Sequence, residues 1–184
     1  MMMTDDNKSF RTNPRGFKLL VCMAVLSGLW LIAASRVHVN ASWSDGAWGY
    51  FSLPMLAAPK RGDLVLFDPP EDSGSPIPYM KRVIGLPGDS VAVNPERRVF
   101  VRGDFIGIAK RHALNGRALD AIEPGVIPPG HYYVHADHAD SHDSRYREIG
   151  LVPRGRIRAR ALPLPDLPWL GLEGPLAKPE EARP

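Results

Sequence analysis

The chain has 184 residues, 44% hydrophobic and 23% charged, which suits one domain with an attachment and excludes disorder throughout. Its 23 basic residues are balanced by 20 acidic ones, so charge alone gives no basis for predicting nucleic-acid binding. The single cysteine, Cys22, excludes an intrachain disulfide and a cysteine-based zinc site. Seventeen glycines and 19 prolines disfavour a helix bundle and favour a turn-rich β structure.

An apolar run lies near the N-terminus, from Phe17 to Ala34, with Lys18 as its one charge. A helix crossing a bilayer needs about 20 apolar residues, with about 17 as the lower limit. A cleaved signal peptide is one alternative, since small residues surround Ser35, and a buried core helix is another. Because the run is apolar on every face, a core helix is disfavoured. We predict an uncleaved transmembrane anchor over residues 17–35.

Basic residues flank this anchor unequally. Lys8, Arg11, Arg15 and Lys18 lie at or before its start, and Arg36 follows it. The positive-inside rule then predicts a single-pass protein of the inner (cytoplasmic) membrane. Residues 1–16 would be cytoplasmic, and a domain over residues 36–162 would be periplasmic or extracytoplasmic.

The rest of the chain alternates short apolar runs with turn residues, a pattern typical of a β-sandwich or β-barrel. We therefore predict a mainly β fold of short strands with one N-terminal transmembrane helix. A proline-rich tail over residues 163–184 is expected to be irregular. The ranges 37–59 and 109–125 carry no clear pattern. The predicted strands cover 64–67, 80–84, 90–93, 99–101, 105–108, 131–135 and 157–161.

Lys81 begins one of these apolar strands, which stops at the turn Gly85-Leu86-Pro87-Gly88-Asp89. A lysine whose stem lies in an apolar sheet loses hydration, which lowers its pKa and allows it to act as a general base. The alternative is an ordinary edge-strand lysine in water. The spacing alone does not exclude that alternative.

Two further segments carry reactive side chains. In residues 40–46 (NASWSDG) a serine hydroxyl beside glycine can be a nucleophile if a base reaches it, or the segment can be a simple turn. Residues 135–145 (HADHADSHDSR) hold three histidines and three aspartates. They match no firm metal-ligand spacing, so a solvated polar loop is the alternative to a metal site.

Three blocks of this sequence, taken in order, resemble the signal peptidase I family of membrane-bound serine proteases. They are Arg61–Phe67 (RGDLVLF), Lys81–Asp89 (KRVIGLPGD) and Ser141–Arg145 (SHDSR), and the resemblance covers about residues 38–162. A preceding membrane anchor with a cytoplasmic N-terminus is also a trait of this family. The short length, the single anchor and the Asn40-x-x-x-Ser44 spacing are most similar to the TraF-type conjugal-transfer peptidases. A compact housekeeping signal peptidase remains the alternative.

The resemblance implies a Ser/Lys dyad without a metal or organic cofactor. Ser44 matches the family's nucleophile and Lys81 its general base. Ser42 matches the position whose hydroxyl joins the Ser44 backbone N–H in the oxyanion hole. Asp45-Gly46 departs from the residues that usually follow the nucleophile, which leaves Ser42 as an alternative to Ser44.

The third block supplies supporting residues by the same resemblance. Ser141 matches the serine that orients the lysine. Asp143 and Arg145 match a structural ion pair beside the site, which Arg82 is expected to join. The sequence departs from the family's Gly-Asp-Asn run at residues 135–137 (HAD), where a histidine replaces glycine and is expected to reshape the turn.

The predicted function is a serine endopeptidase that cleaves a secreted or pilin precursor, after small residues of Ala-x-Ala type, at the membrane surface during conjugal transfer. Water or an internal amine, which would cyclise the product, resolves the acyl-enzyme. The expected partners are a membrane-bound precursor or pilin and the lipid bilayer, with no nucleic acid, and the oligomeric state is unspecified. Alternatives are a housekeeping signal peptidase, a catalytically inactive scaffold of a transfer or secretion complex, and a LexA-like self-cleaving regulator.

Overall fold

A computed structural model of the chain describes residues 14–40, 46–73, 75 and 77–174, in two compact units, residues 1–36 and 37–184. The described part of the first unit is a helix, α1 (Pro14–Ala34), with no buried side chain. At about 1.5 Å per residue it is about 30 Å long, enough to cross the hydrocarbon core of a bilayer. Its length and apolar composition fit a single-pass membrane anchor.

The second unit is built from short strands joined by turns, together with three short 3₁₀ helices at Glu71–Ser73, Arg154–Arg156 and Pro168–Leu170. In chain order the strands are β1 (Val37–Val39), β2 (Gly49–Pro54), β3 (Leu64–Phe67), β4 (Tyr79–Gly85), β5 (Ser90–Val93), β6 (Arg98–Val101), β7 (Asp104–Ile108), β8 (Gly125–Val126), β9 (His131–His135), β10 (Val152–Pro153) and β11 (Ile157–Pro163).

The strands form two antiparallel sheets. A seven-stranded sheet has the order β1-β2-β11-β3-β4-β9-β10, and a four-stranded sheet has the order β7-β6-β5-β8. Strand β1 is thus an edge of the larger sheet, while β4 lies inside it between β3 and β9. The chain enters the smaller sheet directly after β4, through the turn at residues 86–89.

Strand β4 changes its pairing along its length. Its first half pairs with β3, with Tyr79 opposite Phe67 and Lys81 opposite Val65. Pairing with β9 begins only at Arg82, which lies opposite His135. Among the described strands, therefore, none pairs with the β9-side edge of Tyr79–Lys81.

Each sheet has its own apolar core. The larger sheet buries a cluster that includes Val65, Phe67, Val83, Val134 and Val152, all fully buried. The smaller sheet packs Val91, Val99 and Val101, with Ile127, in a cluster that also contains Tyr133 of β9 and Tyr146. Such β-branched side chains fit a pleated, half-buried surface, which explains why these segments form strands.

The prediction of a mainly β fold with an N-terminal apolar helix is confirmed, and the strands predicted from residue 64 onward all form. Strands β1 and β2 lie in the range that the sequence left unassigned. The irregular proline-rich tail stays a prediction; in its described part, a short 3₁₀ helix (Pro168–Leu170) lies between Leu167 and Leu172, whose backbones bond to each other in both directions. Trp48, an aromatic residue close in sequence to Ser42 and Ser44, is buried.

Gly85 lies where the two cores meet, and it leaves no room for a side chain. A Cβ there would lie 2.6 Å from Ile127 Cδ1 and 2.7 Å from Tyr133 Cβ. We expect Gly85→Ala to lower the free energy of unfolding by about 1–3 kcal/mol, because neighbours must shift. Urea unfolding of the detergent-solubilised chain measures this. Gly155→Ala is the matched control, since nothing lies within 4 Å of its Cβ; equal effects of both substitutions would contradict the prediction.

Candidate active site

Lys81 projects from the half of β4 that has strand pairing on one side. The residue is only 8% exposed, although its side chain ends in an amine. The position therefore differs from that of an edge-strand lysine in water, the alternative left open by the sequence.

A cleft of about 660 Å³ opens beside this lysine. Its walls include β1 (Val37–Val39) with Asn40, the beginning of β4 (Tyr79–Lys81), and His142. The volume lies within the range of about 300–1,000 Å³ that is usual for ligand sites. Two strand edges flank the cleft, the outer edge of β1 and the part of β4 that β9 does not cover.

The two serines predicted to carry the chemistry, Ser42 and Ser44, lie outside the described residues. Both ends of their segment are described. Asn40 donates its backbone N–H to the Trp48 carbonyl at 2.9 Å and its side-chain amide to the Ala47 carbonyl at 2.8 Å. We call residues 41–45 the serine segment; its two flanks are hydrogen-bonded to each other.

Both flanks of the serine segment lie close to the lysine strand. Asn40 lines the cleft together with Lys81. On the other flank, Ala47 packs with Met80, the residue before the lysine, against a buried cluster of Tyr50, Leu64 and Ala161. The fold thus brings together two sequence blocks that the sequence alone could not connect.

The third block forms a buried polar network. Asp143 is fully buried and accepts hydrogen bonds from Arg145 Nε at 2.9 Å and from the Arg145 backbone N–H at 3.0 Å. Its second carboxylate oxygen accepts from Arg145 Nη2 at 3.1 Å and from the Ala136 N–H at 3.2 Å. The predicted Asp143–Arg145 ion pair is present in the structure. Its guanidinium also donates to the Ser141 carbonyl at 3.0 Å, which fixes the backbone beside that serine.

The pKa values of the buried pair move apart. Burial by itself raises the pKa of Asp143, but hydrogen bonds from His135 and Arg145 outweigh it, so the pKa lies below its ordinary value. For Arg145, burial acts to lower the pKa, and the bond to Asp143 outweighs it, so the pKa is raised. Both groups are therefore charged over the whole physiological range.

Ser141 is buried, and its hydroxyl makes no hydrogen bond to any described residue. Arg82, which was expected to join the ion pair, is exposed and donates from Nη1 to the Gly62 carbonyl at 2.9 Å. That bond runs to the turn of the first block. The supporting roles predicted for these two residues stay predictions.

Sequence reasoning did not foresee the position of His135. It ends β9, is buried, and places Nδ1 2.9 Å from Asp143 Oδ2. The signal was the departure from the family pattern, a histidine in place of glycine, which was expected to change the turn. The structure instead brings its ring to the buried carboxylate. The described residues contain no group of three or more side chains placed to hold a metal ion.

His142 was also missed, although it stands between two predicted site residues. It lines the cleft, and its Nε2 lies 2.9 Å from Glu148 Oε2. Burial lowers the pKa of His142 in spite of Glu148, so the imidazole is neutral near pH 7.

The first two blocks hold β4 in position. Asp89, at the end of the lysine block, accepts hydrogen bonds from the Leu86 N–H at 2.6 Å and from Arg61 Nη2 at 2.7 Å. Gly62 donates to the Val83 carbonyl at 2.7 Å, in the strand that carries the lysine. These bonds join the first and second blocks around the strand that carries the lysine.

A family described as "Signal peptidase, peptidase S26" matches residues 17–164 of this chain. The conjugal transfer protein TraF of Agrobacterium fabrum is 31% identical over 163 residues, covering 76% of this chain and 89% of TraF. Signal peptidase I of Pseudomonas aeruginosa is 31% identical over 140 residues, covering 58% of this chain and 49% of that protein. This chain thus spans about half the length of the latter relative. A crystal structure of a signal peptidase I from Enterococcus faecalis covers 56% of this chain and 97% of its own, with 25% identity and a TM-score of 0.36.

The lowered pKa of Asp143 makes a prediction about acid stability. Such a carboxylate contributes stability that is complete above its ordinary pKa of 3.8 and is lost as the pH falls through its lower folded value. We expect Asp143→Asn to reduce the free energy of unfolding by about 3–5 kcal/mol at pH 7, because Arg145 loses its buried partner. The difference from the unsubstituted chain should shrink below about pH 4.

Urea unfolding at pH 7, 4 and 3 measures both effects. Asp140→Asn is the control, because Asp140 pairs with Lys110 at the surface and should change stability by less than about 1 kcal/mol. A stability difference for Asp143→Asn that stays constant from pH 7 to pH 3 would show that the carboxylate charge is not what stabilises the fold.

Proposed function

This chain belongs to the signal peptidase family, peptidase S26, and we propose that it is a membrane-anchored serine endopeptidase with a Ser44–Lys81 dyad. The observation that carries this proposal is the burial of Lys81 in a cleft beside which both flanks of the serine segment lie. A lysine shielded from water, close to both flanks of a segment that carries two serines, is the arrangement from which a lysine-activated serine can form.

In the proposed mechanism, the uncharged Lys81 amine takes the proton from the Ser44 hydroxyl as its oxygen attacks the scissile carbonyl carbon. The peptide C–N bond then breaks, and the leaving amine takes the proton from the Lys81 ammonium. An acyl-enzyme remains on Ser44. Water, or an amine of the product itself, attacks this ester and returns the serine, with Lys81 again relaying the proton.

We assign two serines to supporting roles. The Ser42 hydroxyl and the Ser44 backbone N–H would bind the oxyanion, and each such donor is worth about 2.7–4 kcal/mol in the transition state. Ser141 would orient the Lys81 amine, since its buried hydroxyl has hydrogen-bonding capacity that no described residue uses. A buried hydroxyl left without a partner is unfavourable by about 1–3 kcal/mol, which favours such a role.

The cleft suggests how a precursor binds. An extended peptide laid between β1 and the beginning of β4 could bond to the backbone of both strands, in the manner of strand addition to an open edge. Apolar side chains, including Val39, Leu66 and Met80, line the same cleft. A precursor with small apolar residues before its cleavage site suits such walls.

We propose the inner membrane as the location, with the N-terminus cytoplasmic and the β domain on the opposite side, because basic residues precede α1. A membrane tether raises the effective concentration of enzyme towards a membrane-bound precursor. The similarity to TraF, a conjugal transfer protein, over most of its length supports a role in conjugal transfer, for which we propose a pilin precursor as substrate. Cleavage of general secretory precursors is the alternative, from the similarity to signal peptidases I.

The dyad is tested with full-length protein in detergent, a fluorogenic peptide containing Ala-x-Ala, and a penem that acylates serine. We expect Ser44→Ala and Lys81→Ala to lower kcat/KM by about 10³-fold or more, and Ser42→Ala to lower kcat by about 10²–10³-fold. Mass spectrometry should locate the penem on Ser44. Lys110→Ala, at a half-exposed lysine, is the control and should retain activity.

Each other outcome has a distinct meaning. If the penem is attached to Ser42 and Ser44→Ala retains activity, Ser42 is the nucleophile and Ser44 is not. A folded wild-type chain that neither cleaves the peptide nor reacts with the penem would overturn the proposal in favour of an inactive scaffold.

A further inference from the structure

The chain continues beyond the end of its family match, and the added residues fold back onto residues that follow the serine segment, Gly46 and Trp48. The match ends at residue 164. Leu164 donates its N–H to the Gly49 carbonyl at 2.9 Å, which extends the β11–β2 pairing. The next residue, Pro165, accepts a hydrogen bond from the indole Nε1 of Trp48 at 2.8 Å.

Trp48 is placed to transmit this contact. It is only 8% exposed, so its indole N–H has lost water and Pro165 supplies the partner that a buried N–H requires. Its own carbonyl accepts the Asn40 N–H, the bond that joins the two flanks of the serine segment. Trp48 thus bonds to the tail through its side chain, and to Asn40 before the serine segment through its backbone carbonyl.

The tail at this contact is folded. Leu167 and Leu172 exchange backbone hydrogen bonds of 2.8 and 3.2 Å around the 3₁₀ helix, and Gly171 takes the left-handed conformation that closes the turn. Asp166 accepts a bond from the Gly174 N–H at 3.3 Å. A Cβ on Gly174 would lie 3.8 Å from the carbonyl oxygen of Gly46, so the tail returns to the first residue after the serine segment.

We propose that Trp48 and the tail Leu164–Gly174, which we together call the brace, are positioning elements for the serine segment. They hold its C-terminal flank beside Lys81. This inference rests on the proposed function. A short loop that carries a nucleophile has to keep its hydroxyl within hydrogen-bond reach of the base, and a displacement of about 1 Å can reduce the rate about 10²-fold. Asn40 joins the two flanks to each other, and the tail joins one of them to the sheet.

Two substitutions test the brace at separate hydrogen bonds. Trp48→Phe keeps an aromatic ring and removes the N–H donor, while Leu164→Pro removes the N–H that bonds Gly49. We expect each to lower kcat about tenfold and to lower the rate of penem acylation equally, with KM changed less than about twofold. The pH dependence of kcat/KM should be unchanged, because Lys81 keeps its surroundings.

Matched controls isolate the geometry. Trp169→Phe makes the same change at a tail tryptophan that is 77% exposed, and Pro165→Ala keeps the carbonyl that accepts the indole bond. Both should behave like the unsubstituted chain. Thermal unfolding of each variant identifies any that fails to fold, and the remaining brace variant then decides the result.

The failure of this inference differs from the failure of the proposed function. If the unsubstituted chain neither cleaves the peptide nor reacts with penem, the function itself is wrong. If it does both, and a folded Trp48→Phe or Leu164→Pro protein matches the controls, the brace is overturned. A rise in KM with kcat unchanged would also overturn it, since that result assigns these residues to substrate binding.

Discussion

Burying an amine in the wall of a cleft is the constraint from which the rest of this site follows. Lys81 is only 8% exposed, so water is largely excluded from its side chain. The fold allows this because β9 begins its pairing one residue later, at Arg82. The lysine therefore lies inside the larger sheet while the strand beside it still borders an open cleft.

A buried ionic network stabilises the third sequence block, Ser141–Arg145. Asp143 is satisfied by its own neighbour Arg145, by the Ala136 N–H and by the approach of His135. Buried charges are tolerated only when each is paired and hydrogen-bonded in this way. The network holds the backbone of Ser141 through its carbonyl, so a serine next to the site sits on rigid support rather than on a mobile loop.

The strand that carries Lys81 was easier to predict than the arrangement of the elements around it. The lysine block is local, since a strand and a glycine turn follow within nine residues, and it was identified from sequence. Strands β1 and β2 were not, because β1 has three residues and its pairing with β2 depends on a serine segment that has no hydrophobic period. Ala47 and Met80 pack against the same buried cluster of Tyr50, Leu64 and Ala161, a long-range arrangement that no sequence pattern records.

The tail is a second part of the chain whose packing the sequence did not predict. Its prolines predict irregular structure, and beyond Pro163, the last residue of β11, the described part of the tail contains no strand. What orders it is a single long-range bond from Trp48, 117 residues earlier, together with the backbone bond from Leu164 to Gly49. Proline restricts the unfolded chain as well as the folded one, so a proline-rich segment loses less conformational entropy on docking than a flexible one. Composition that argues against secondary structure is therefore compatible with a rigid brace, provided that a buried donor elsewhere in the chain needs its carbonyl.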